Sequence, residues 1–335
     1  MTSLIIRRSR FPSAGLLLIT LGAVGLDRFG FLADAPTLTV VASLALLVFG
    51  LPHGAFDLAL LRRAAGTSFR PGSSLAVVAL YLGCSAAMYL SWRVGPVFAL
   101  AGFLVMAVAH FAEDWDACGS RLIAYGIAAA IVSAPAILHV DQLRSLFALL
   151  TGDPAAAVLA DMMLLVAPVA IAVALIGWVL LWQAGHRALA VSAGCAFAAM
   201  LLLPPVPGFA LFFCLVHSPI QFRQHAGLLG LRGFQQWGGM VVPLSLAGLG
   251  IAAAVFFENG DASIPANLFA TSFMTLSILT VPHMLMPRIA AFFFSCNAGF
   301  SDQRSITIER SCQQRIVRNN KGIKLNHNRV KFSGA

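Results

Sequence analysis

The sequence predicts an all-α fold, a polytopic transmembrane helix bundle of about ten spans with a short polar tail. Three observations predict it. Of 335 residues, 59% are hydrophobic and only 10% are charged, with a mean hydropathy of +0.86; a soluble domain carries about 25% charged residues. The apolar residues fall into runs of about 20, the length a helix needs to cross the hydrocarbon layer. The basic residues behind the net charge of +9 sit in short loops and at both ends. That is the positive-inside pattern of a membrane protein and not a nucleic-acid-binding face.

The first run, 14–33, follows Arg7, Arg8 and Arg10 and ends at Ala33-Asp34-Ala35. It imitates a secretory signal, but because further runs follow it is read as an uncleaved first helix. The next runs are 37–61, 73–92, 94–114, 122–139, 158–183, 188–204, 208–227, 237–257 and 265–290. Leu143–Leu150 is too short to span and reads as an interfacial or re-entrant helix between the fifth and sixth. No internal repeat stands out, so the inverted-repeat signature of secondary transporters is not supported. With the N-terminus inside, the loops on that side hold Arg62, Arg63, Arg70, Arg121, Arg187, Arg223 and Arg232. The opposite loops hold Asp34, Arg93, Asp141, Arg144, Asp153, Glu258 and Asp261, fewer basic residues and most of the acidic ones, so both termini are expected in the cytoplasm. The tryptophans 92, 115, 178, 182 and 237 fall mostly near span ends, as an aromatic belt would. The scattered cysteines lack CxxC spacing and read as small buried hydrophobes. Residues 1–294 thus form the transmembrane domain. Residues 295–335 are polar, basic and aperiodic, and are expected to be a disordered tail with some attraction to anionic lipid.

Five histidines fall in or at the ends of the runs: His53, His110, His217, His225 and His283. All lie on helices expected to run from outside to inside, four of them at a similar depth of about 25 Å. Imidazoles at one level on parallel helices can converge on one site. Asp57 follows His53, and Asp114 follows His110, by four residues. Such pairs share a face of an α-helix. A carboxylate there can accept a ring N–H and leave the other nitrogen to ligate a metal. Ionisable groups in a span are costly and usually functional. Imidazoles without thiolates suit Fe(II), Zn(II), Cu(II) or Ni(II), and ligand type alone does not choose. A proton relay is the competing use of the same residues. Glu113 and Asp161 read as interfacial, and His139 as an interface residue at an outer helix end. Pro52, Pro219 and Pro282 lie near histidines, where helix kinks could aim the rings.

The motifs GLPHGAFD (50–57), AHFAEDW (109–115), APAILH (134–139), FFCLVHSP (212–219) and LTVPHMLM (279–286) occur in this order. Together they resemble the Brp/Blh family of membrane-embedded bacterial β-carotene 15,15'-dioxygenases. The resemblance implies cleavage of the central double bond of β-carotene by O2 to give two retinal molecules, at a histidine-bound non-haem Fe(2+). It implies His53, His110 and His217 as iron ligands, with His283 a further candidate. It implies Asp57 and Asp114 as the groups that orient the ligands, and a hand-off of retinal to a rhodopsin as one fate of the product. The family usually has a second histidine four residues after the one matching His217; here that position is Gln221. Either Gln221 is a weak oxygen ligand, or His225 reaches in, or the site is depleted and activity weakened. The substrate is a hydrocarbon that stays in the bilayer, so a tunnel lined by Phe56, Phe111, Phe213 and Met284, together with Phe103, Phe209 and Phe212, is expected to hold it. Two other readings stand beside this one: a catalytically silent carotenoid- or retinal-binding relative, and a proton-coupled transporter using the His/Asp pairs.

Overall fold

The computed structural model describes residues 13–31, 36–65, 71–231, 233–258 and 263–297. Within these, the side chains of residues 13, 53, 64–65, 71–74 and 286–297 are not described. The tail expected at 295–335 lies outside the described residues beyond Asn297, where the last helix ends. Contacts divide the chain into two units. One is Arg10–Arg288; the other is Met1–Ser9 with Ile289–Ala335, of which only the last turns of that helix are described.

The described residues form helices joined by short connections. In chain order these are α1 (Ser13–Arg28), α2 (Pro36–Gly50), α3 (Asp57–Ala65), α4 (Pro71–Val94), α5 (Pro96–Phe111), α6 (Arg121–Ser133) and α7 (Pro135–Thr151). They continue with α8 (Ala157–Gln183), α9 (Arg187–Leu202), α10 (Pro205–Phe212), α11 (Ser218–Leu229), α12 (Phe234–Glu258) and α13 (Ile264–Asn297). Proline opens several of them, where its missing N–H costs nothing and its φ suits the first turn. Gly119, Gly152, Gly185 and Gly230 end segments with positive φ, the left-handed turn that closes a helix. The apolar surface is turned outward on many helices, as with Phe98, Leu165 and Leu122, which suits lipid and not water.

Seven helical segments among the described residues are long and apolar enough to cross a membrane, or eight if one bent pair counts as a span. This corrects the expected ten, and the reasons are local. Helix α1 and helix α9 each hold 16 residues, short of a full crossing. The fifth run is not one helix: α6 stops at Ser133, Pro135 opens α7, and the pair is bent by 52°. Proline removes a backbone donor and clashes with the preceding turn, so a bend belongs there. The stretch expected as a separate interfacial helix, Leu143–Leu150, is the second half of α7. His139 marks a break inside α7, at φ −130° and ψ 31°. The tryptophans are not all a belt either. Trp115 and Trp92 are buried, and Trp92 donates its indole N–H to Ser277 across the bundle at 2.7 Å.

Two spans are far more enclosed than the rest. Pro205–Leu229 and Ile264–Leu285 have 61% of their most apolar stretch buried, against 17–39% elsewhere. They carry His217, Gln221 and His225, and His283, respectively. The centre of the bundle is therefore where the ionisable residues stand.

Candidate metal centre

The site forms where helices stop being α-helical. After α2 the chain tightens into a 3-10 turn, Leu51–Phe56, which holds His53 and Gly54. After α5 it does so again over Ala112–Cys118, which holds Glu113 and Asp114. Between α10 and α11 the helix widens into a π turn, Phe213–His217, which ends on His217. Single π turns are rare and gather at functional sites. Pro52 and Pro219 supply part of the cause, because neither can donate to the regular ladder.

Two carboxylate–imidazole pairs flank a third imidazole. His217 donates Nδ1–H to Asp114 Oδ2 at 2.8 Å, with both side chains fully buried. His283 donates Nδ1–H to Asp57 Oδ1 at 2.7 Å. Between them lies His110, 1% exposed, its ring 4.7 Å from that of His217 and 5.2 Å from that of His283. Its Nδ1 stands 3.5 Å from Glu113 Oε2. Gln221 donates Nε2–H to the second oxygen of Asp114 at 2.8 Å. The His225 ring is 5.9 Å from that of His283.

The carboxylates therefore serve other helices than their own. The sequence places Asp57 with His53 and Asp114 with His110; the structure gives Asp57 to His283 and Asp114 to His217. The cause is the 3-10 geometry. At 3.6 residues per turn, residues four apart are about 40° apart around the axis; at 3.0 per turn they are about 120° apart. In a 3-10 turn it is i and i+3 that eclipse, and His110 faces Glu113. Glu113, expected to be interfacial, has a side chain about half-exposed beside His110. The pairing of Gln221 with Asp114 had no signal in the sequence, because the two are 107 residues apart.

The donor set is of the kind that can hold a metal. A carboxylate on Nδ1 fixes the tautomer with the lone pair on Nε2, in both His217 and His283. Imidazoles that share an ion through bonds of about 2.1 Å have ring centres roughly 4.5–5.2 Å apart at angles of about 90–110°. The spacings of His110 from His217 and from His283 lie in that range. As the side chains stand, no group of three or more His, Cys, Asp or Glu among the described residues is closed tightly enough to hold an ion. The His53 side chain lies outside those residues, although its backbone stands in the Leu51–Phe56 turn. The donors fit a metal of the imidazole-preferring kind, and nothing in the geometry selects among such metals.

Two clefts lie near the cluster, the second directly against it and the first behind Phe111. The first, about 670 Å³, is lined by Phe103, Phe111, Phe209 and Phe273 among other apolar residues. Phe111 packs edge-on against the His217 ring at 4.7 Å. The second, about 1120 Å³, is walled by Asp57 and His283, with Gly54, Tyr81 and Ser85. Of the residues expected to line a substrate tunnel, Phe111, Phe103 and Phe209 line the first cleft. Phe56, Phe212, Phe213 and Met284 line neither. Phe56 and Phe212 are fully buried, Phe56 against Phe222, and Phe213 packs on Phe111 and His217.

Comparison with known proteins follows the same direction. Residues 44–289 match the family described as BCD, beta-carotene 15,15'-dioxygenase. A protein of uncultured marine bacterium 66A03, named Beta-carotene 15,15'-dioxygenase, is 29% identical over 257 residues, which cover 73% of this chain and 91% of that protein. No solved structure matches. The matched stretch runs from α2 into α13 and takes in His53, His110, His217 and His283, so the chain belongs to the beta-carotene 15,15'-dioxygenase family.

Proposed function

We propose that this protein cleaves the central 15,15' double bond of β-carotene with O2 at a non-haem Fe(2+) inside the membrane, with His53, His110 and His217 as ligands. The reading rests on one observation above the others. A buried imidazole cluster backed by carboxylates stands near two clefts, one of them walled almost wholly by apolar side chains, in a chain of this family. Iron bound there would supply O2 binding and its direction onto the double bond. The reaction balances without a reductant: the C=C bond breaks, and each of its carbons takes one oxygen atom to become a retinal aldehyde.

The chain's own residues do the rest. Asp114 holds His217, and Asp57 holds His283, each in one tautomer and orientation. The clefts take an elongated hydrocarbon without lifting it into water. Successive double bonds of the polyene are chemically alike, so the bond cleaved is set by how far the molecule slides along the clefts past the cluster. Phe103, Phe111, Phe209 and Phe273 supply flat, rigid walls for that register. The protein is a multi-pass membrane protein; the placement proposed for it is the bacterial inner membrane, with both termini cytoplasmic and retinal passed on to a rhodopsin.

Aerobic expression in β-carotene-producing cells tests the reaction. Cleavage bleaches the orange pigment and yields retinal as the sole C20 product. Unchanged colour with stoichiometric bound pigment indicates a carotenoid-binding relative that does not turn over.

A further inference from the structure

The geometry points to His283, backed by Asp57, as an iron ligand in this chain, while Gln221 serves only to hold Asp114. This rests on the proposed iron site and concerns which side chains complete it. The two candidates stand differently. Gln221 is 2% exposed and spends its amide N–H on Asp114 Oδ1, the carboxylate whose other oxygen holds His217. That makes Gln221 a brace behind a ligand. A carboxamide oxygen is also a weak donor beside imidazoles.

His283 repeats the construction of His217 on the other side of His110. Each has Nδ1 on a buried or nearly buried aspartate at 2.7–2.8 Å. Each therefore carries its lone pair on Nε2. Each ring lies at shared-ion spacing from His110, 4.7 Å and 5.2 Å. The Asp57 carboxylate holds this imidazole, although it costs free energy to place in a span. The Leu51–Phe56 turn passes directly beside the pair: a Cβ at Gly54 would be in ordinary contact with His283 Nδ1 at 3.6 Å and Asp57 Oδ2 at 3.9 Å. Access is open too, since His283 and Asp57 both wall the second cleft. His225 has its ring 5.9 Å from that of His283, beyond the 4.7 Å and 5.2 Å at which His217 and His283 stand from His110.

The test uses the full-length protein in detergent, loaded anaerobically with Fe(II) or with Co(II) as a spectroscopic substitute. Iron per chain is measured after desalting, and the visible d–d bands of the Co(II) form report its ligands. Wild type, His283→Ala, Asp57→Asn, Gln221→Ala and His283→Gly are compared, all checked for monodispersity. The inference expects wild type to hold one iron per chain. His283→Ala weakens iron at least tenfold and changes the Co(II) bands, and Asp57→Asn weakens it less. Gln221→Ala, which removes a brace behind Asp114 and no ligand, weakens iron less than His283→Ala does and leaves the Co(II) bands unchanged. Added imidazole, entering by the second cleft, restores iron and the wild-type bands to His283→Gly, which a merely structural role for His283 would not allow. Full iron and unchanged bands in His283→Ala would overturn the inference and leave the proposed function standing. So would a loss in Gln221→Ala as complete as that in His283→Ala. Wild-type protein that takes up no iron would overturn both.

Discussion

Asp114 holds two partners at once, the His217 ring on one oxygen and the Gln221 amide on the other, and its side chain is fully buried. A group this committed cannot be exchanged quietly. Asp114→Ala frees the His217 ring to rotate, and removing such a carboxylate behind a ligating histidine costs about 10–100-fold in metal affinity. Iron retention against a competing chelator measures it. Glu113→Gln is the contrast. Its side chain is 52% exposed and stands 3.5 Å from His110, so iron retention should stay within about threefold of wild type in the same assay. At this scale the sequence shows the ionisable residues clearly, because histidines and aspartates inside apolar runs are expensive and few. It does not show their partners. The i, i+4 rule assumes an α-helix, and both carboxylates sit where the helix has tightened or just relaxed from a 3-10 turn.

Helix α2, the π turn after α10 and helix α13 meet at Gly50. A Cβ there would fall 2.8 Å from Phe213 and 2.9 Å from Leu276, closer than real contacts allow. The glycine is thus a spacer between the π turn that aims His217 and the helix that carries His283. Gly50→Ala should overpack this crossing and destabilise the fold by about 1–3 kcal/mol. A lower melting temperature in detergent, with iron bound less tightly by whatever protein remains folded, is the expected result. The spans themselves are legible in the sequence as runs of apolar residues, and seven of them reappear as single segments. The fifth does not, because hydropathy reads composition and is blind to the bend that Pro135 puts between α6 and α7. The π turn is equally hidden, since it changes no residue's hydropathy and only Pro219 hints at it.

For the whole molecule, the two clefts near one cluster set what can react. On the proposed function a long hydrocarbon lies with its middle at the imidazoles, and blocking either cleft should stop turnover without touching the proposed ligands. Leu104 walls the first cleft and Leu82 the second. Leu104→Trp and Leu82→Trp should each lower retinal formation by at least tenfold while iron per chain stays at the wild-type value. Equal retinal from either variant would show that its cleft is not on the substrate's path. The clefts were only partly foreseeable. Phe103, Phe111 and Phe209 are aromatic residues on the right helices, but so are Phe56 and Phe212, which the packing turns into core. One sequence pattern serves both outcomes, and only the packing of the helices separates them.

The central claim is that the buried imidazoles around His110 grip one iron within the bilayer. The most direct measurement is the iron content of purified full-length protein beside its His110→Ala variant, after anaerobic loading with Fe(II) and desalting. The account predicts one iron per chain in the first and none in the second. Iron absent from the wild type, or held undiminished by His110→Ala, would contradict it.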